Sequence, residues 1–87
     1  MVCYVVIGID EFNHEIMHTT VYDSREKALA GALADFEELV SRDGWVGITE
    51  ETIEKYKRKF VEDLEEYNVA YVEDFEVIYH IEQCHIN

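Results

Sequence analysis

The sequence predicts an α+β fold: a three-stranded, mainly antiparallel sheet with two helices packed on one face, in the order β-β-α-α-β. Three observations predict it. Residues 2–22 hold β-branched and aromatic runs broken by a polar turn, residues 28–67 carry apolar stripes at spacings of three and four, and residues 76–86 alternate. Burying these stripes on one side of a sheet is the simplest arrangement they allow. At 87 residues the chain makes a single domain, 1–87.

The first strand is expected over residues 2–9, Val-Cys-Tyr-Val-Val-Ile-Gly-Ile, apolar at nearly every position and suited to cover on both faces. Residues 11–15 form a polar turn around Asn13, and residues 16–22 return as the second strand of a hairpin. Asp23 is the expected N-cap of the first helix, with Glu26 completing a capping box. Ala28, Leu29, Ala32, Leu33, Phe36, Leu39 and Val40 share one face of that helix, and Asp35, Glu37 and Glu38 fall outside it. The helix ends near Asp43-Gly44.

Trp45 sits between Gly44 and Gly47 on a short loop, as a lid on the core or an interface anchor. Thr49 then caps the second helix, with Ile48 stapled to Ile53. Its stripe is Ile53, Tyr56, Phe60, Leu64 and Tyr67, and Glu51–Lys55, Glu54–Arg58 and Lys59–Asp63 are supporting pairs one turn apart. Residues 69–73 fit either a frayed helix end or a loop. In the last strand, Val77, Tyr79 and Ile81 share one face, and Ile78, His80, Glu82 and Cys84 the other.

Simple reversal of direction at every element makes the last strand antiparallel to the second and parallel to the first. Cys3 and Cys84 then lie at opposite ends of the sheet as two half-buried thiols. If the last strand instead pairs antiparallel with the first, the thiols approach. Helices cover one face of a sheet only, so the first strand must show either Tyr4 and Val6 or Val5 and Ile7 on an open face; Tyr4 and Val6 are taken as the candidate homodimer face.

Charge dominates the composition. Twenty Asp and Glu oppose seven Lys and Arg, for a formal net charge of -13. No Lys or Arg follows Lys59, while Glu62, Asp63, Glu65, Glu66, Glu73, Asp74, Glu76 and Glu82 do. A one-signed field of this kind disfavours nucleic acid and anionic membranes and favours a basic protein partner. Glu62, Asp63, Glu65, Glu66, Glu73, Asp74 and Glu76 are the candidate partner-binding residues. With an N-terminal apolar run ending at Asp10 and no basic region before it, the chain is expected to be cytoplasmic.

Catalytic chemistry is not encoded in any recognisable pattern. His14, His18, His80, His85 and Cys84 lack metal-ligand spacing, since strand residues four apart are separated by about 13 Å and zinc ligands must converge to about 2 Å from the ion. Ser24 and Ser41 sit near helix ends, where serine serves capping. No glycine-rich phosphate loop is present. The expectation is a non-enzyme with no metal or cofactor.

The strand Tyr4-Val5-Val6, the helix start Val21-Tyr22-Asp23-Ser24-Arg25-Glu26-Lys27-Ala28 and the final Tyr79-His80-Ile81-Glu82 together resemble small bacteriophage-encoded proteins of uncharacterised function. In acidity and size the chain is similar in kind to phage anti-defence proteins, including anti-CRISPR proteins and other DNA mimics. The resemblance implies inhibition of a basic host protein, with a CRISPR effector among the targets, in the host cytoplasm. The alternative is a self-associating structural or accessory phage domain that uses its open sheet face.

Overall fold

The computed structural model of the chain describes residues 1–43 and 49–85, apart from the side chains of Arg42, Asp43 and Asp74. Val2–Asp10 (β1), Glu15–Tyr22 (β2), Val69–Val72 (β3) and Val77–His85 (β4) form one antiparallel sheet in the order β2-β1-β4-β3. Arg25–Asp43 (α1) and Glu50–Tyr67 (α2) lie on one face of it. The fold is therefore α+β, as predicted, but the sheet has four strands and the order is β-β-α-α-β-β.

The additional strand corrects the topology as well. Asn68 takes the left-handed conformation, φ 60°, and its N–H closes the last turn of α2 on the Leu64 carbonyl at 3.0 Å. The chain then runs out as β3, turns through a 3-10 helix (Glu73–Phe75) ending at Glu76, φ 51°, and comes back as β4. That extra reversal flips the direction of the final strand. It pairs antiparallel with β1, Val2 opposite His85 through Asp10 opposite Val77, rather than parallel to it. Cys3 consequently lies directly opposite Cys84, not at the other end of the sheet.

The hairpin between β1 and β2 turns where Asn13 was expected to turn it. The Asp10 carboxylate accepts from the Asn13 main-chain N–H at 3.1 Å and from its amide nitrogen at 2.8 Å, and His14 adopts φ 56°. Beyond the turn, Ile9 pairs with Ile16 but Gly8 with His18, so Met17 is the extra residue of a bulge.

Helix starts follow their hydroxyls. Ser24, not Asp23, caps α1: its Oγ accepts from the Lys27 N–H at 3.1 Å and its carbonyl from the Ala28 N–H at 3.1 Å. Asp23 instead pairs with Lys27 at 2.9 Å. Thr49 caps α2 as expected, its side chain accepting from the Thr52 N–H at 3.2 Å. The Ile48 staple and the Trp45 loop lie outside the described residues.

The core joins Ala28, Ala32, Phe36, Leu39 and Val40 of α1 to Phe60 and Leu64 of α2. Beneath them lie Val6, Ala70, Val72, Val77, Tyr79 and Ile81 of the sheet. Phe60 stacks on Phe36 with ring centroids 4.6 Å apart and meets Tyr79 edge-on at 5.2 Å. Tyr67, expected in the second stripe, is 63% exposed because α2 ends at that residue.

Val6 is fully buried and Tyr4 packs against the same core, so the candidate homodimer face of Tyr4 and Val6 is corrected: both point to the helices. Strand alternation assigns Val5, Ile7 and Ile9 to the open face, joined across the sheet by Val21, Ile16 and Ile78. β1 is therefore covered by helices on one side only.

Candidate binding surfaces

Seven acidic residues singled out in the sequence fall into two groups. The first lies on the last turns of α2. Glu62 and Glu66, one turn apart, share the outward side of the helix, and both are exposed. Asp63 turns toward β3 and Glu65, two residues on, occupies the opposite flank. Glu65 is exposed, whereas Asp63 is half-buried and held by Lys59 at 3.0 Å. Among the described residues, the carboxylates of Glu62, Glu65 and Glu66 meet no basic side chain.

The nearby lysines are engaged elsewhere. Lys57 lies 3.5 Å from Glu54 and 3.7 Å from Glu37 of α1, and Lys55 lies 3.9 Å from Glu51. The expected Lys59–Asp63 and Glu51–Lys55 pairs thus form, and Glu54 takes Lys57. Such exposed pairs contribute only about 0.2–1 kcal/mol each. They occupy Lys55, Lys57 and Lys59, and no Lys or Arg follows Lys59 along α2, so its last turns carry only carboxylates as charged side chains.

The second acidic group surrounds the 3-10 turn. Glu73 and Glu76 are exposed, and the main-chain N–H of Glu11 donates to the Glu76 carbonyl at 2.9 Å, which brings the β1–β2 turn alongside. Partial desolvation against the sheet, followed by the charges of Glu11, Glu76 and Glu73, pushes the Tyr71 hydroxyl above its ordinary value. Asp74 lies in the same 3-10 turn; its side chain is outside the described residues.

β3 separates the two acidic groups. Residues of both groups line a groove of about 440 Å³ between α2 and the β3 edge, where Asp63 and Glu73 stand with Lys59, Tyr56 and Tyr71. The arrangement is thus a negative helix end and a negative turn, joined by a groove with one lysine in it.

Sequence reasoning missed a polar cluster under α1. Asp35 faces the sheet, where it accepts the hydroxyl of buried Tyr79 and lies 3.2 Å from Nδ1 of His18. The His18 Nε2 is buried without a hydrogen-bond partner among the described residues. One carboxylate so links α1 to β2 and β4. Tyr79 shares a strand face with Val77 and Ile81; a tyrosine buried on such a face needs a partner for its hydroxyl, and that requirement was the available signal. Among the described residues, no three His, Cys, Asp or Glu side chains converge in a way that could hold a metal ion.

The sheet face away from the helices is the third surface. Ile16 and Val21 are 69% and 58% exposed, Tyr71 is 48% exposed, and Val5, Ile7 and Ile78 are half-buried only by their neighbours within the sheet. His80 and Glu82 interrupt it on β4.

No family model, curated protein or solved structure matches the chain. No helix among the described residues is long and apolar enough to cross a membrane.

Proposed function

We propose that the chain is a non-enzymatic, acidic binding protein that docks on the basic nucleic-acid-binding surface of another protein. The observation that carries this reading is the end of α2. The carboxylates of Glu62, Glu65 and Glu66 project from a capped helix and, among the described residues, none of them pairs with a basic side chain, on a chain of net charge -13. Carboxylates fixed on a scaffold present charge without the entropic cost of ordering a flexible tail. The resemblance of the chain to phage-encoded proteins sets the direction of the proposal. The partner is a host protein, a CRISPR effector being one target of this kind, and the outcome is inhibition in the host cytoplasm.

Competition measures it directly. The protein should displace duplex DNA from a purified basic host DNA-binding protein at low salt and lose this ability steeply as salt rises. The Glu62→Lys/Glu65→Lys/Glu66→Lys variant should fold and fail to compete. Equal competition by that folded variant overturns the assignment of the α2 end.

A second reading has its own observation. The uncovered apolar strip of Val5, Ile7, Ile9, Ile16, Val21 and Ile78 suits association with a second copy, in a structural or accessory role. A mass that rises with concentration and returns to monomer in Ile7→Lys supports it. A monomer at all concentrations removes it. A dimer formed this way leaves both α2 ends exposed, so the two readings are compatible.

A further inference from the structure

We propose that Cys3 and Cys84 form a redox modification site: a strained cross-strand disulfide that a small-molecule disulfide installs and a small-molecule thiol removes. Both residues are free cysteines on the two inner strands, and they are direct partners in the β1–β4 register. By strand alternation they point to the same face of the sheet, away from the helices, one pair along from Val5 and Glu82.

The hydrogen-bond pattern fixes what kind of pair they are. Main-chain N–H and C=O groups of alternate strand residues point to opposite neighbours. Ile81 donates its N–H to Asn68, on the β3 side, and Glu76 accepts from Glu11, on the β1 side. Even-numbered residues of β4 therefore bond to β1, and Cys3–Cys84 is a hydrogen-bonded pair. Its α-carbons should lie about 5.5 Å apart, within the roughly 4.4–6.8 Å that a disulfide spans. The β-carbons of such a pair sit near 5.5 Å, about 1 Å wider than a relaxed disulfide allows. Closing that gap stores strain, and strain makes the bond easier to reduce.

Accessibility orders the steps. Cys84 is half-buried and Cys3 buried. The Cys84 thiolate attacks one sulfur of oxidised glutathione and releases one glutathione thiolate, leaving a mixed disulfide. The Cys3 thiolate then attacks Sγ of Cys84 and expels the second glutathione. Two thiol protons and two electrons leave the protein, and one glutathione disulfide becomes two glutathione thiols. Oxidation thereby clips the first strand to the last.

The test needs only the native chain. Folded protein is equilibrated in glutathione buffers of graded redox ratio, quenched with an alkylating reagent and weighed intact. The expected product is a monomer about 2 Da lighter than the dithiol, carrying no alkyl group, that reverts to doubly alkylated protein within the glutathione range. In Cys84→Ala no such species should appear. A persistent glutathione adduct, a disulfide-linked dimer, or two free thiols in fully oxidised buffer with the fold intact by circular dichroism would each overturn the proposal.

Discussion

Arg25, at the start of α1, holds Asn68, at the end of α2: its guanidinium donates to the Asn68 side-chain oxygen at 2.9 Å from Nη2 and 3.3 Å from Nε. The same Nη2 reaches the main-chain oxygens of Leu64 at 3.0 Å and Glu65 at 2.8 Å. No basic residue occupies the last turn of α2, so a cation from the neighbouring helix serves its carbonyl end. The planar fork of arginine is what meets several acceptors at once.

Arg25→Ala should therefore destabilise the domain by about 1–3 kcal/mol, the range for losing hydrogen bonds to a charged donor. Arg25→Lys should recover only part of it. Urea unfolding reads both, with the midpoint falling and the slope unchanged. A midpoint shift within error for Arg25→Ala would mean that solvent replaces the contacts without cost.

Tyr79→Phe tests the cluster under α1. Removing the hydroxyl leaves Asp35 near His18 without its donor from β4, and about 1–3 kcal/mol should be lost. Asp35→Ala should cost at least as much, since it removes both the acceptor of the Tyr79 hydroxyl and the carboxylate beside His18. The double variant should cost less than the sum of the singles if the two groups act on each other.

Gly8→Ala probes the same ring from the sheet side. A β-carbon at Gly8 would come within 2.8 Å of Cε1 and 3.2 Å of Cδ1 of Tyr79. The ring is boxed in by Phe60 and tied through its hydroxyl, so it cannot step aside cheaply. The expected loss is about 1–3 kcal/mol, read as a lower thermal midpoint.

Opposite faces of β1 should respond oppositely to charge. Val6→Glu puts a carboxylate into the core and should abolish cooperative unfolding. Val5→Glu lies on the open face and should leave the fold intact. A cooperative transition in Val6→Glu, or loss of one in Val5→Glu, would reverse the assignment of faces.

Alkaline titration tests the raised Tyr71 hydroxyl. Below its ordinary value of about 10 the phenol is protonated in folded and unfolded chains alike. Above that value the unfolded chain releases the proton more readily, so stability should fall as pH rises toward the raised folded value. Phenolate absorbance or ring chemical shifts should show Tyr71 ionising above the ordinary value. In Glu11→Gln/Glu76→Gln the ionisation should move back down.

Strict alternation made the last strand legible: Val77, Tyr79 and Ile81 share one face, as their spacing required, and the helices bury it. The helix stripes were legible for the same reason. β3 was hidden because Val69-Ala70-Tyr71-Val72 is short and follows α2 after a single residue. Its one marker was Asn68, a residue that tolerates the left-handed conformation. The facing of β1 was unreadable since the strand is apolar on both sides, and Val5 and Val6 differ only in what tertiary packing lays over them. The acidic tract was visible as a run of letters, but the run winds around a helix and passes through a strand. Only folding decides which members share a face.

The antiparallel pairing of Val2 with His85 also has a mechanical consequence. Force applied between residues 2 and 85 pulls on one pair at the tip of the two inner strands and peels them apart pair by pair, instead of shearing the whole ladder at once. Stretched this way in an optical trap, the dithiol domain should yield at low load, in a gradual zipper-like rupture. A covalent bond one pair further in would stop the peel almost where it begins.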